Sequence, residues 1–200
     1  IFKDELEMFI KNIPQKVILV LDGAYSEFIK DERYSDGLDL VKKYPNIIVT
    51  RTFSKIFALA GLRLGWGYSN KNIIELLEKI RGPFNVNLIA QHIGSSILNE
   101  KNFLKKSINH NSIWQKKLPG LINKLGLEAK ETYTNFVLVK VDKRKFVKEK
   151  IIKGLQKKKI IVRELSNYGL RDYFRVSFGT DSQLKIFIKE LEIILKKSRL

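Results

Sequence analysis

The 200-residue sequence contains no cysteine. Neither a disulfide framework nor a thiolate metal site is available to it, and a cytoplasmic compartment is the default expectation. It has no apolar run long enough to span a bilayer and no visible signal peptide. It shows no internal repeat and no low-complexity segment. It begins Ile-Phe-Lys-Asp rather than with methionine, which suggests a fragment or a processed product. Acidic residues are scarce beside basic ones, 21 against 38, and the net charge is +17. That charge raises nucleic-acid binding as a function class. The excess is mostly lysine spread along the chain, with runs such as Lys157–Lys159 on solvated helix ends, and aromatics are not interleaved with it as a stacking platform requires. Neither a nucleic-acid nor a membrane partner is therefore expected. With 44% hydrophobic residues the chain can bury a core, in one domain or two small ones.

What the sequence does contain gathers in Arg51–Gly67, RTFSKIFALAGLRLGWG. Lys55 sits between two hydroxyls, Thr52 and Ser54, and the apolar run Ile56–Ala60. An amine flanked by apolar side chains is poorly solvated, which disfavours the ammonium and leaves a nucleophile. Such a lysine commonly condenses with a carbonyl, of a substrate or of pyridoxal phosphate. Thr52, Ser54 and Arg63 are the residue types that hold a phosphate. In isolation, Lys55 would be read as a lysine snorkelling from a buried strand end and Arg63 as half of a surface ion pair.

In chain order, Phe2–Asn12 has helical spacing and Pro14 stops it. Val17–Leu21 reads as a strand buried on both faces, of the parallel type, ending at Asp22. A carboxylate there stands where open α/β sheets bind ligands. Lys30–Lys43 reads as a loop leading into a short helix, and Asn46–Arg51 as a second buried strand. Parallel pairing of the two would bring Asp22 and the Lys55 loop to one sheet edge. Leu62–Tyr68 reads as a third strand with Arg63 at its start. Asn70–Arg81 is an amphipathic helix with Ile73, Ile74, Leu77 and Ile80 inward. Leu88–Leu98 is helical again; His92 within it has no second ligand at metal spacing, so no metal is expected.

A domain change is expected near Lys101–Lys106, giving domains 1–103 and 104–200. The second opens with a helix over Asn102–Lys117, which Pro119-Gly120 turns or kinks. Strands follow at Asn135–Val141, Ile160–Arg163 and Tyr173–Phe178, with a basic helix over Lys143–Lys158. A last helix, Thr180–Lys197, starts at a Thr180-x-x-Gln183 capping box. Its apolar face is Leu184, Phe187, Ile188, Leu191, Ile194 and Leu195. Arg163 and Arg175 end or interrupt apolar strands, which is unfavourable for a charge without a partner. Glu164 or Asp172 is available as a structural partner.

The segments T-F-S-K and A-L-A-G-L-R-L-G, with D-x-x-Y at Asp22 and Tyr25, resemble the fold-type I pyridoxal-phosphate aminotransferases. Within these the chain is most similar to the histidinol-phosphate aminotransferase branch, a likeness that P-F-N-V-N at 83–87 shares. The resemblance covers the chain from about Pro14 to the last helix and corresponds to the C-terminal portion of the family's polypeptide. It implies an α/β fold: part of a large-domain mixed, mainly parallel sheet with helices, plus a small α+β C-terminal domain. It implies pyridoxal phosphate on Lys55, with Asp22 at the ring nitrogen, Tyr25 at the ring oxygen, and Thr52, Ser54 and Arg63 on the phosphate. Lys55 to Arg63 keeps the family's eight-residue spacing. Arg175, in F-R-V-S-F-G, and Arg163, in I-I-V-R, are implied to bind the substrate's anionic group; Asn135 matches a position near the site. Read from the residues alone, Asp22 could be a strand-end cap and Tyr25 simple packing. The family often carries a bulkier residue where Gly23 stands.

The expected activity is transamination of histidinol phosphate with 2-oxoglutarate, in histidine biosynthesis, by a cytoplasmic homodimer. The alternatives are an aromatic amino-acid aminotransferase, a threonine-phosphate decarboxylase, or an inactive basic fragment acting as a binding module. The family's N-terminal portion carries a phosphate-binding loop, a ring-stacking aromatic, an asparagine at the ring oxygen and an arm to the dimer partner. Those parts are not in this sequence, and activity is expected only with them.

Overall fold

Branched apolar residues at alternate positions build the first sheet. The computed structural model describes residues 1–198, so the last two residues of the expected second domain lie outside it. The chain divides into two units, 1–108 and 109–200.

In the first unit, helix α1 (Lys3–Asn12) precedes strands β1 (Leu19–Asp22), β2 (Ile47–Thr52) and β3 (Gly65–Tyr68), followed by helices α2 (Lys71–Ile80) and α3 (Leu88–Ile97). The sheet order is β1-β2-β3. β1 and β2 pair in parallel with Asp22 opposite Thr50, and β2 and β3 pair antiparallel with Thr52 opposite Gly65. Side chains alternate across a strand. Leu19, Leu21, Ile47 and Val49 therefore share one face, where they pack with Leu6, Ile10, Leu40 and Val41. Val20, Asp22, Thr50 and Thr52 share the other.

Several expectations change here. β1 is not buried on both faces: Val20 is 54% exposed, because α1 and the 40–42 turn cover only the opposite side. The third strand starts at Gly65, since the chain through Ala60–Leu62 is a 3-10 turn and Arg63 is left-handed (φ 56°). That backbone cannot enter a sheet ladder. Helix α2 is capped by Asn70, whose Oδ1 accepts the Ile73 N–H at 3.1 Å, but it buries none of the residues expected inward: Leu77 is 39% and Ile80 78% exposed.

Helix α4 (Lys101–Lys124) contains the division between the units at 108/109. Pro119 lies inside it and does not end it. Beyond it come β4 (Glu128–Ala129), β5 (Phe136–Lys140), α5 (Lys148–Lys157), β6 (Arg163–Glu164), β7 (Tyr173–Ser177) and α6 (Asp181–Ser198). The second sheet, of order β4-β5-β7-β6, is antiparallel throughout. Its core joins Trp114, Leu118, Val137, Val139, Ile151 and Phe174 to α6, whose buried face is the expected one with Ile188 partly covered. The capping box closes in both directions: Thr180 N–H donates to Gln183 Oε1 at 2.9 Å, and Gln183 N–H to Thr180 Oγ1 at 3.3 Å. Helix α5 starts later than expected because Asp142–Lys145 forms a turn pinned by Arg144 on Asp142. β6 is shorter than expected, its upstream residues Ile160 and Val162 packing against the core outside the ladder.

Candidate cofactor site

The parallel register sets the first group of functional side chains. Asp22 ends β1 beside Thr50, and the chain leaves β2 at Thr52 and turns through Ser54 and Lys55 just beyond the same sheet edge. Asp22 Oδ1 accepts the Ala24 N–H at 3.1 Å, which starts a turn that brings Tyr25 back over the sheet end. Lys55 Nζ then lies 5.3 Å from the centre of the Tyr25 ring. Thr52 Oγ1 accepts the Ser54 N–H at 3.0 Å and fixes the loop's start.

Ile56 and Phe57 turn inward and pack with Phe28 and Phe53. Lys55 itself stays half-buried, so the apolar neighbours anchor its backbone and do not enclose its amine. Ala58 (φ 57°) and Arg63 are both left-handed, an uncommon state for residues with a Cβ. The bend returns the Arg63 guanidinium toward the loop: Nη1 donates to Ala60 O at 2.7 Å and to Ser54 Oγ at 3.5 Å. Asp22, Tyr25, Thr52, Ser54, Lys55 and Arg63 thus belong to one strand-end cluster in the first unit.

The other three expected residues lie in the second unit. Arg163 on β6 stands directly opposite Arg175 on β7. Two like charges across a strand pair repel unless an anion lies between them. Arg175 sits 4.9 Å from the Phe136 ring centre, and its buried Nε has no hydrogen-bond partner among the described residues. Both arginines line a cavity of about 850 Å³, with Ser177, Gln183 and Asn167. Glu164, one of the two structural partners available to these arginines, is bound instead by buried Lys148 at 2.8 Å. That contact and Ser166 hold the Glu164 carboxyl below its usual range. Asn135 contributes its carbonyl, which accepts the Phe178 N–H at 2.8 Å.

The sequence matches the aminotransferase class I and II family over residues 2–191. A curated relative, histidinol-phosphate aminotransferase 1 of Cupriavidus pinatubonensis, is 38% identical over 191 residues, 96% of this chain and 51% of its own length. This chain belongs to the class I and II aminotransferase family. It spans about half the length of the curated relatives it matches. The histidinol-phosphate aminotransferase of Clostridium acetobutylicum superposes with a TM-score of 0.88 at 25% identity, over 98% of this chain and 60% of that one. The enzyme of the same name from Sinorhizobium meliloti, solved with pyridoxal 5'-phosphate, has a TM-score of 0.85 at 23% identity, over 98% and 54%.

The aminotransferase family works with pyridoxal phosphate, and the donor set at the strand end fits that group. A guanidinium and two hydroxyls suit a phosphate, a carboxylate suits a pyridinium nitrogen, and an amine beside a phenol suits an aldehyde next to a ring oxygen. No cluster of three metal-ligating side chains occurs among the described residues. One buried group next to this site, Arg51, whose side chain is 4% exposed, is not among the residues expected from the sequence. Its position next to Thr52 in an alternating strand was the available signal, since it must face opposite to Thr52.

Proposed function

We propose that this chain carries the reactive lysine of a pyridoxal-phosphate-dependent transamination between L-histidinol phosphate and 2-oxoglutarate, giving imidazole-acetol phosphate and glutamate. The observation that carries the proposal is the convergence of Asp22, Tyr25, Lys55 and Arg63 at one end of the β1–β2 pair. Lys55 would form the covalent link, Asp22 would hold the ring nitrogen protonated, Tyr25 would donate to the ring oxygen, and Thr52, Ser54 and Arg63 would hold the phosphate. When bound, pyridoxal phosphate supplies a ring that accepts the electron pair left as the substrate's α-proton departs. The Lys55 amine would take that proton from the substrate's amine-bearing carbon and return it to the carbon on the far side of the nitrogen, as base and then acid. Arg163 and Arg175 bind the substrate's phosphate, or the carboxylate of the second substrate, as bidentate forks. Their opposed register and an Arg175 Nε without a hydrogen-bond partner among the described residues support this assignment. Asn135, whose carbonyl accepts the Phe178 N–H where β5 begins and β7 ends, would lie near the bound substrate. The names of the curated relatives support histidinol phosphate as substrate.

A cytoplasmic homodimer belongs to the same proposal. Phe84, 96% exposed, lies within the 83–87 segment that resembles the histidinol-phosphate branch, and Leu88, 80% exposed, follows it directly; such uncovered apolar side chains suit a subunit interface. In the full-length protein, Lys55→Ala should abolish the absorbance of the lysine-bound cofactor; its persistence would refute the assignment. Offered histidinol phosphate, phenylalanine and threonine phosphate, the protein should turn over the first fastest. Preference for phenylalanine, or carbon dioxide release from threonine phosphate, would replace the substrate reading.

A further inference from the structure

Arg51 is buried, and the chemistry proposed above makes no use of it. By strand register it lies on the face of β2 opposite Thr52 and Asp22, so it cannot serve as a phosphate ligand beside Thr52. Its guanidinium reaches instead beneath the turn that follows Asp22. Nη1 donates to Thr50 O at 3.2 Å, the carbonyl that also accepts the Gly23 N–H at 2.9 Å. Nη2 donates to Asp36 O at 3.0 Å and pairs with the Asp36 carboxylate at 3.3 Å. Nε lies 3.7 Å from the Glu27 carboxylate. One fork therefore ties β2 to the Glu27 turn and to the loop at Asp36.

The same guanidinium explains Gly23. A Cβ built there would clash with Arg51 Nη1, fall 2.6 Å from Cζ and lie 2.7 Å from Ser26 Oγ. A side chain end can usually step aside. This one is itself buried, 4% exposed, and stepping aside would take its charge away from the Glu27 and Asp36 carboxylates and from two carbonyls, and a buried charge without partners is strongly unfavourable. We infer that Arg51 is a positioning residue: it fills the space under Gly23 and holds the Asp22–Ser26 turn in the shape that presents Asp22 and Tyr25 to the cofactor. The inference rests on the function proposed above. A lysine could not replace it, because a single ammonium cannot serve Thr50, Asp36 and Glu27 together.

The test is a double-mutant cycle in the full-length protein, comparing Gly23→Ala, Arg51→Ala and the pair, with Arg51→Lys as the variant that keeps the charge. Three quantities are read: amide hydrogen exchange at Gly23, Ala24 and Ser26 without cofactor, the dissociation constant for pyridoxal phosphate, and the pH midpoint of the lysine-bound cofactor's absorbance. Each single variant should speed exchange and weaken cofactor binding by about tenfold or more, the scale at which supporting-shell changes act. Each should also raise the pH midpoint, because Tyr25 no longer meets the ring oxygen squarely. The double variant should be no worse than Arg51→Ala, since the added methyl enters space the guanidinium has left. Arg51→Lys should resemble Arg51→Ala. Additive losses in the cycle would overturn the inference. So would a lower melting temperature with exchange, affinity and midpoint all unchanged. The exchange readout needs no cofactor, so its failure is separable from failure of the Lys55 assignment, which shows in the absorbance of the unsubstituted protein.

Discussion

Arg63 combines a left-handed backbone with a guanidinium that, among the described residues, bonds within its own loop, to Ala60 and Ser54. A residue with a Cβ holds that conformation against a cost of order 1–3 kcal/mol, and such strain clusters at ligand sites. Arg63 is exposed, so its replacement by alanine should leave the melting temperature nearly unchanged. Cofactor binding should weaken by about 1.5–3 kcal/mol, the range for a charge-assisted hydrogen bond, measured by equilibrium titration with pyridoxal phosphate. Glu27 makes a prediction of a different kind. Burial raises its pKa first; its own backbone hydrogen bond and Arg51 pull it back, and Asp36 pushes it up. A folded-state value above the ordinary 4.5 means that the native protein holds this proton more tightly than the unfolded chain. Its contribution is present below pH 4.5 and is lost as pH rises through the folded value. Glu27→Gln should remove that decline, as read from urea midpoints measured from acid to neutral pH.

At the scale of elements, α6 shows how much a short sequence signal can fix. The Thr180-x-x-Gln183 pair closes in both directions, and Thr180→Ala should cost about 0.5–2 kcal/mol in urea unfolding. That helix, the Asp22 and Lys55 strand ends and the spacing to Arg63 were legible in the sequence because each depends on near neighbours. The elements misread depend on what covers them. Helix α2 has a clean apolar stripe, yet periodicity shows only that a face is apolar and not that something covers it; Ile80 remains 78% exposed. Pro119 is the reverse case. A proline is a breaker by local rules, but it lies buried between Leu118 and Ile122, both fully covered, within an unbroken α4. β4 spans only two residues and was not anticipated; its signal is Asn123, which both donates to and accepts from Ala129. Arg51 escaped because its partners, Glu27 and Asp36, are distant in sequence and meet it only through the fold.

The two units differ in how they are held together. Residues 109–198 share one large core, in which Val137, Val139, Ile151 and Phe174 are fully buried. The first unit has two smaller clusters and leaves Val20, Leu77, Ile80 and Leu88 exposed. Local stability follows buried apolar contact. Amides of β5 and β7 should therefore exchange more slowly than those of β1 and α2 when this chain is followed by hydrogen exchange. The reverse order would place the core in the wrong unit. The central claim concerns a single amine in a chain with 38 lysines and arginines. Loading the full-length protein with pyridoxal phosphate, reducing it with borohydride and mapping its peptides by mass spectrometry would locate the attachment. The account predicts a pyridoxyl group on Lys55; the label on another lysine, or on none, would contradict it.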